Sequence, residues 1–276
     1  MSLRSLPPVR PQAPSLAQAQ KCYASLIGMD AMMLGRKRRI GFVGCPPEEM
    51  LGPRREEELI DLDNLVEGVA LRSDSALPRT TCRIIRRVLD NALTLDLDEI
   101  VIDEGYGKCD AARGLADVLE DMLHLSVIRT QNDNQVGVGT PISDAKLPVL
   151  RKMELILDGL VHPRGLSLEA EEDPPAAIWG VPAADFSIYE LFPDGSQVLG
   201  WTRCLENRTP ADWELETHVP DGRPTVFFAQ TFCPKNVTAQ HLARQHNGLH
   251  VDADGVLTQS VKAKIEAFLR FRGAWR

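Results

Sequence analysis

The residues in this sequence most suited to chemistry are cysteines that follow predicted strands. Cys45, Cys109 and Cys233 each come a few residues after an apolar segment of strand length. Because the carboxyl ends of parallel strands meet at one edge of a sheet, we expect these thiols to lie on a common rim. Lys108 adjoins Cys109, and Lys235 follows Cys233 by two residues. A nearby cation favours the thiolate, so Cys109 and Cys233 are predicted to act as nucleophiles or metal ligands.

A metal centre on this rim would draw on a fourth thiol. Cys204, beside Arg203 at the end of a β-rich segment, is predicted to join Cys45, Cys109 and Cys233. Four thiolates suffice for a soft metal or an iron–sulfur cluster. The chain has no CxxC pair, so the fold alone would have to bring the four residues together.

Each thiol also has a purely structural interpretation, because free cysteine is among the most buried residue types. Cys82, flanked by Arg79 and Arg83 at the start of a predicted helix, is predicted to be structural. The 6 cysteines are spread along the whole chain. That distribution indicates reduced thiols and a cytoplasmic protein instead of a disulfide framework.

The segment Glu99–Asn134 is predicted as strand, glycine loop, helix, strand and polar loop. It does not contain a nucleotide motif. A Walker loop requires glycine where Ile102 stands and serine or threonine where Cys109 stands, and a dinucleotide fingerprint requires glycine at Asp110. What remains is a helix start whose free backbone N–H groups favour an anion.

Polar and glycine residues around this segment form the predicted site. Asp103 and Glu104 end the central strand, where a carboxylate can act as general base or hold a divalent ion, the alternative being solvated turn acids. The loop after Thr130 is longer than a usual strand-to-helix connection, which favours a functional role. The predicted catalytic residues are Cys109, Cys233, Asp103 and Glu104. The predicted ligand-binding residues are Gly105, Tyr106, Gly107, Lys108, Asn132, Gly137, Gly139, Lys235 and Asn236.

Composition sets the protein class. With 276 residues, 43% hydrophobic residues and 25% charged residues, the chain is predicted to be globular. No apolar run has the length of a membrane helix. A net charge of −8 opposes general binding to nucleic acid. The basic run Arg36–Arg39 is predicted to be a solvent-exposed segment that leads into a strand. The proline-rich start is not predicted to form a secretory signal.

The alternation of strands and helices predicts an α/β fold with a doubly wound, mostly parallel sheet in two lobes, the second carrying a β-hairpin. The predicted divisions are an extension with a docking helix over 1–35, an α/β domain over 36–162, a linker over 163–177 and a smaller α/β domain over 178–276. The hairpin is placed around the turn Pro193–Gly195, and the last helix over Gln259–Phe271.

Two functions of different classes follow from these observations. The first is binding of a small anionic ligand or a metal centre, including an iron–sulfur centre, in the cleft between the lobes, with thiolate chemistry. The alternative is a non-catalytic ligand sensor or interaction protein whose cysteines are core packing. Neither a reaction class nor an oligomeric state follows from the sequence.

Overall fold

The computed structural model describes residues 36–51, 57–64, 66, 68–69, 73, 76–133, 141–161 and 166–275. The predicted extension and docking helix over 1–35 lie outside these residues, as do Gly137 and Gly139. The chain divides into the units Met1–Lys37 and Arg38–Arg276. The fold described here is that of the second unit.

The first lobe is built on a four-stranded parallel sheet. Its strands are β1 (Arg38–Val43), β2 (Glu57–Asp61), β3 (Glu99–Asp103) and β4 (Ser126–Thr130), in the order β2-β1-β3-β4. Helices α1 (Arg83–Thr94) and α2 (Asp110–Met122) pack together on one face, and a 3₁₀ helix covers Glu48–Leu51. Every residue of β3 is buried, as the apolar run Ile100–Ile102 at its centre predicts for a central parallel strand.

The second lobe repeats this arrangement. Its strands are β5 (Ala177–Gly180), β6 (Gln197–Leu199), β7 (Thr225–Gln230) and β8 (Leu249–Ala253), all parallel in the order β6-β5-β7-β8. Its helices are α3 (Val149–Val161), α4 (Trp201–Asn207), α5 (Trp213–Thr217), α6 (Lys235–Gln245) and α7 (Gln259–Phe271), with 3₁₀ helices at Ile142–Asp144 and Phe186–Leu191. Two parallel sheets with helices between their strands confirm the predicted two-lobed α/β fold.

The predicted β-hairpin in the second lobe is wrong. The Pro193–Gly195 turn forms, with the Ser196 amide donating to the Pro193 carbonyl at 3.2 Å. The segment before it, however, coils into the 3₁₀ helix Phe186–Leu191, whose first turn is capped by the side chain of Asp185. The segment after it gives only the short strand β6, which pairs in parallel with β5, and then α4.

Helix α3 connects the cores of the two lobes. Its first half contributes Val149, Met153 and Ile156 to the core of the second lobe. Its second half packs Leu157 and Leu160 in an interlobe cluster of buried residues, the other members being Ile40, Phe42, Cys45, Leu51, Val101 and Leu205. Ile40, Phe42 and Val101 belong to the first sheet, so this cluster joins one sheet to helices of the other lobe.

The described part of the predicted linker lies against the second lobe. The Lys146 amide donates to the Glu169 carbonyl and the Glu171 amide to the Asp144 carbonyl, each at 2.8 Å. At the other end of the chain, Ile265 and Leu269 of α7 are fully buried, as the helical spacing of its apolar residues predicts. Within the described ranges, no helix combines the length and apolarity that a bilayer crossing requires.

The basic run before the first strand is partly incorporated into the sheet. Strand β1 starts at Arg38, whose guanidinium forms ion pairs with Glu57 at 3.0 Å and with Glu99 at 2.9 Å. Arg39 pairs with Glu58 at 3.0 Å. Their positive charge is therefore compensated by carboxylates of neighbouring strands.

Candidate functional site

A cavity of about 200 Å³ lies at the carboxyl ends of strands from both sheets. The first lobe contributes residues that follow or end β1, β2 and β3, and the second lobe contributes residues that follow β5 and β7. The wall includes Val43, Gly44, Asp61, Asp63, Asp103, Leu157, Val181, Pro182 and Trp201. This is the position at which doubly wound folds bind ligands.

Three helices begin at this cavity, and a cysteine lies at or directly before the N-cap residue of each helix. Cys82 is the N-cap residue of α1, and Cys109 is the N-cap residue of α2. Cys233 directly precedes Pro234, the N-cap residue of α6. All three cysteines line the cavity together with residues of the turns that follow them. The site thus gathers three thiols and the positive ends of three helix dipoles.

Burial favours the protonated form of two of these thiols, those of Cys82 and Cys233. Burial, together with the nearby thiols of Cys82 and Cys109, raises the pKa of Cys233 to about 12. Burial also raises the pKa of Cys82, while the backbone N–H groups of Ile85 and Ile84 oppose that rise. A desolvated neutral thiol is a poor nucleophile, but a bound metal ion deprotonates it outright.

The turn that carries Cys233 is held in an unusual backbone conformation. Phe232 has a φ of 65°, a left-handed conformation that is rare for an aromatic residue, and its side chain is 55% exposed. The turn is closed by the Cys233 amide, which donates to the Gln230 carbonyl at 2.9 Å. Strain of this kind is concentrated at functional sites.

The four predicted metal-binding cysteines are divided by the fold. Cys109 and Cys233 line the cavity, whereas Cys45 and Cys204 are not among its lining residues. Cys204 is fully buried on α4, where its thiol donates to the Asp212 carbonyl at 3.6 Å. Burial raises the pKa of Cys45 and of Cys204 to about 12. Over the described residues, no three His, Cys, Asp or Glu side chains are grouped so as to bind a single metal ion.

Lys108, predicted as an anion anchor, forms a buried ion pair with Asp103. Its Nζ lies 2.7 Å from the Asp103 carboxylate and also donates to the Asn132 carbonyl at 2.7 Å. The Asn132 amide donates to the same Asp103 oxygen at 2.9 Å. Burial nevertheless raises the pKa of Asp103 to about 6, with Lys108 opposing the rise. The charge of Lys108 is therefore already compensated inside the protein.

Lys235, the second predicted anchor, is compensated as well. Its Nζ lies 2.6 Å from the buried carboxylate of Glu216 and 4.9 Å from the ring centre of Trp201. The side-chain Oδ1 of the neighbouring Asn236 accepts a hydrogen bond from Nε2 of His250 at 2.6 Å. Both predicted anion anchors are thus paired with acids.

Two further carboxyl groups line the first-lobe wall of the cavity. Burial raises the pKa of Asp63 to about 6, although the Gly44 amide donates to its Oδ2 at 2.7 Å. Burial and the neighbouring Asp63 together raise the pKa of Asp61. Arg87 lies close enough to both groups to oppose these rises. Burial on this side of the wall therefore favours the protonated form of the carboxyl groups.

The remaining predicted residues lie outside this cavity. Glu104 forms a 3.6 Å ion pair with Arg129 and lines a separate polar depression with Gly105. Tyr106 is 90% exposed. Gly107 has a φ of 79° and lies so close to Ala211 that an added Cβ would come within 3.1 Å of that side chain, so glycine is required there.

Asn132 is a structural residue of the interlobe boundary. It is 5% exposed, and its side-chain amide donates to the carbonyls of Cys45 at 3.0 Å and Arg208 at 3.1 Å. The Arg208 guanidinium in turn donates to the carbonyls of Gly159 and Leu160 at the end of α3. These contacts hold the rim of the first sheet against the second lobe.

No family model matches the chain, and comparison with the curated proteins finds none similar to it. Sequence reasoning missed the part played in the cavity by Cys82, Asp61, Asp63 and Trp201. For Cys82 the signal was present in part, because its position at a helix start was recognised. Its proximity to Cys109 and Cys233 depends on how the strands are ordered, and spacing along the chain does not contain that order.

Proposed function

We propose that this protein binds a metal centre through thiols of the interlobe cavity. The observation that carries the proposal is the convergence of Cys82, Cys109 and Cys233 from the first turns of three helices on one cavity. Thiolates are the preferred ligands of soft metals and iron–sulfur clusters. Reduced thiols are maintained in the cytoplasm, which is the proposed location.

The chemistry of the wall supports a metal centre over a small anionic ligand. Lys108 and Lys235 are paired with Asp103 and Glu216, so neither offers an uncompensated positive charge. The raised pKa of Cys82 and of Cys233 also favours coordination over nucleophilic attack, because a metal ion supplies the positive charge that stabilises the thiolate. Three helix N-termini would stabilise the negative charge of a thiolate-bound centre.

Metal analysis of protein purified without oxygen tests this proposal. We expect the full-length chain to contain a stoichiometric amount of a thiophilic metal. The Cys109→Ala, Cys233→Ala double variant should lose at least about tenfold in metal affinity, because removing a direct ligand costs no less than removing an outer partner. The matched control is Cys204→Ala, which removes a buried thiol outside the cavity lining and should retain the metal.

Two results would contradict the proposal. One is a folded wild-type protein without bound metal after supplementation with iron, zinc and copper. The other is equal metal retention by the double variant and the wild type. Either result would favour the alternative of a ligand sensor with structural cysteines.

A further inference from the structure

The number and position of the cavity thiols favour a cluster over a single metal ion. In the part of the chain that the structure describes, no three His, Cys, Asp or Glu side chains are grouped so as to hold one metal ion. In an iron–sulfur cluster the thiolates bind separate iron atoms, so they need not meet at one point. Cys82, Cys109 and Cys233 come from three separate elements and line one cavity of about 200 Å³, and Cys109 lies near enough to raise the pKa of the other two thiols. This placement suits ligands distributed around a cluster.

Backbone donors around the thiols also suit a cluster. The N–H groups of Ile84 and Ile85 act on the Cys82 thiol, and the N–H group of Lys235 acts on the Cys233 thiol. Hydrogen bonds from backbone N–H groups to ligand sulfurs stabilise reduced, negatively charged clusters and set their reduction potential. The three helix starts therefore supply both ligands and compensating partial charges.

The number of thiols in the cavity sets the coordination. Among the described lining residues the thiols are those of Cys82, Cys109 and Cys233. Cys204, which the sequence placed in the ligand set, is buried against the Asp212 carbonyl. A site with three protein ligands leaves one position for an exchangeable group, as catalytic metal sites do.

We propose that Cys82, Cys109 and Cys233 ligate a [4Fe–4S] cluster whose fourth iron carries an exchangeable ligand, either water or an oxygen atom of a small substrate. This inference rests on the proposed metal-binding function and specifies its cofactor and ligands. It replaces the ligand set Cys45, Cys109, Cys204 and Cys233 with one in which Cys82 is a direct ligand. Substrate would enter at the iron that has no protein thiolate.

Anaerobic reconstitution of the full-length chain with ferrous iron and sulfide tests the cluster. The wild type should take up about four irons and about four sulfides per chain and show the broad visible absorption of an iron–sulfur protein. Because one iron has no protein ligand, brief exposure to oxygen should release it and give the paramagnetic [3Fe–4S] form in electron paramagnetic resonance. Ferrous iron added with a reductant, which returns the electron that oxygen removed, should then restore the original form.

The Cys82→Ser variant distinguishes a role of Cys82 as a cluster ligand from a structural role. Cys82 is the N-cap residue of α1 and serine is a preferred N-cap residue, so this variant should keep or raise the thermal stability of the metal-free protein. We expect it nonetheless to lose at least about fivefold in iron content, since a cluster ligand is removed. Cys109→Ser, at the N-cap of α2, should behave alike, whereas Cys204→Ala should retain the full iron content.

The outcomes of these experiments distinguish the [4Fe–4S] cluster from the broader proposal that the protein binds a metal centre. Stoichiometric zinc or copper that depends on the cavity thiols, without iron or sulfide, would overturn the cluster and leave the metal-binding function standing. Protein that binds no metal would overturn both. Full iron content in Cys82→Ser, or an oxidised cluster that keeps all its iron, would overturn the three-thiolate assignment.

Discussion

At the scale of single residues, burial at the cavity wall raises the pKa of carboxyl and thiol groups. Asp63 and Asp103 both have a pKa raised to about 6 by burial. Asp103 is paired with Lys108, while Asp63 accepts the Gly44 amide. Sequence reasoning placed Asp103 at the rim because it ends a strand. It did not identify Asp63, since a polar residue in the ambiguous segment around β2 has no distinguishing pattern.

The raised pKa of Asp63 makes stability depend on pH. Between about pH 4 and pH 6 the folded protein holds a proton on Asp63 that the unfolded chain has released. The free energy of unfolding therefore falls as the pH rises through this window. Asp63→Asn keeps an acceptor for the Gly44 amide but does not titrate, so we expect it to be more stable than the wild type at pH 7 by about 1 to 2 kcal/mol.

Urea denaturation of the metal-free protein at pH 4, 5, 6 and 7 measures this effect. The difference between Asp63→Asn and the wild type should grow as the pH rises and level off above pH 6. The control is Asp121→Asn at an exposed position of α2, which should follow the wild type. A difference in the free energy of unfolding that stays constant from pH 4 to pH 7 would contradict the raised pKa of Asp63.

At the scale of elements, local sequence patterns predicted most of the strands and helices. Strand β3 and the last helix, α7, have the predicted bounds, because an apolar run and a 3.6-residue period are both local signals. The segment Phe186–Leu191 has a strand-like composition yet forms a 3₁₀ helix. Its Ile188 and Tyr189 are buried in the second-lobe core, so tertiary packing outweighed β propensity.

The strained turn before α6 gives a prediction at the same scale. Phe232 has a φ of 65° and an exposed ring. Phe232→Gly removes the steric cost of the left-handed conformation, and we expect it to raise the free energy of unfolding by roughly 0.5 to 1 kcal/mol after the entropy cost of glycine. Phe232→Ala is the control, because it removes the ring and keeps the strain. Equal changes in the thermal unfolding midpoint of both variants would show that loss of the ring, not relief of the backbone strain, determines the change in stability.

At the scale of the whole second unit, the two lobes share a hydrophobic core. Phe42 and Ile40 of the first sheet pack with Leu157 and Leu160 of α3 in the interlobe cluster, and α3 continues into the core of the second lobe. Large apolar interfaces hold domains in a fixed arrangement. The sequence showed each sheet separately. It did not show this joint core, because the apolar face of α3 does not indicate which of two sheets it covers.

The joint core predicts that the lobes unfold together. Phe42 is 1% exposed and does not line the cavity, so Phe42→Leu should destabilise the protein by about 1 to 2 kcal/mol, less than the 3 to 5 kcal/mol typical of truncation to alanine. If the lobes unfold as one unit, this change in the first lobe should speed hydrogen exchange of the β7 amides in the second lobe by about 5- to 30-fold. Exposed Val256→Ala is the control and should leave exchange unchanged. Faster exchange confined to the first sheet, with β7 unaffected, would mean that the lobes open independently and that the cavity between them is not held by a common core.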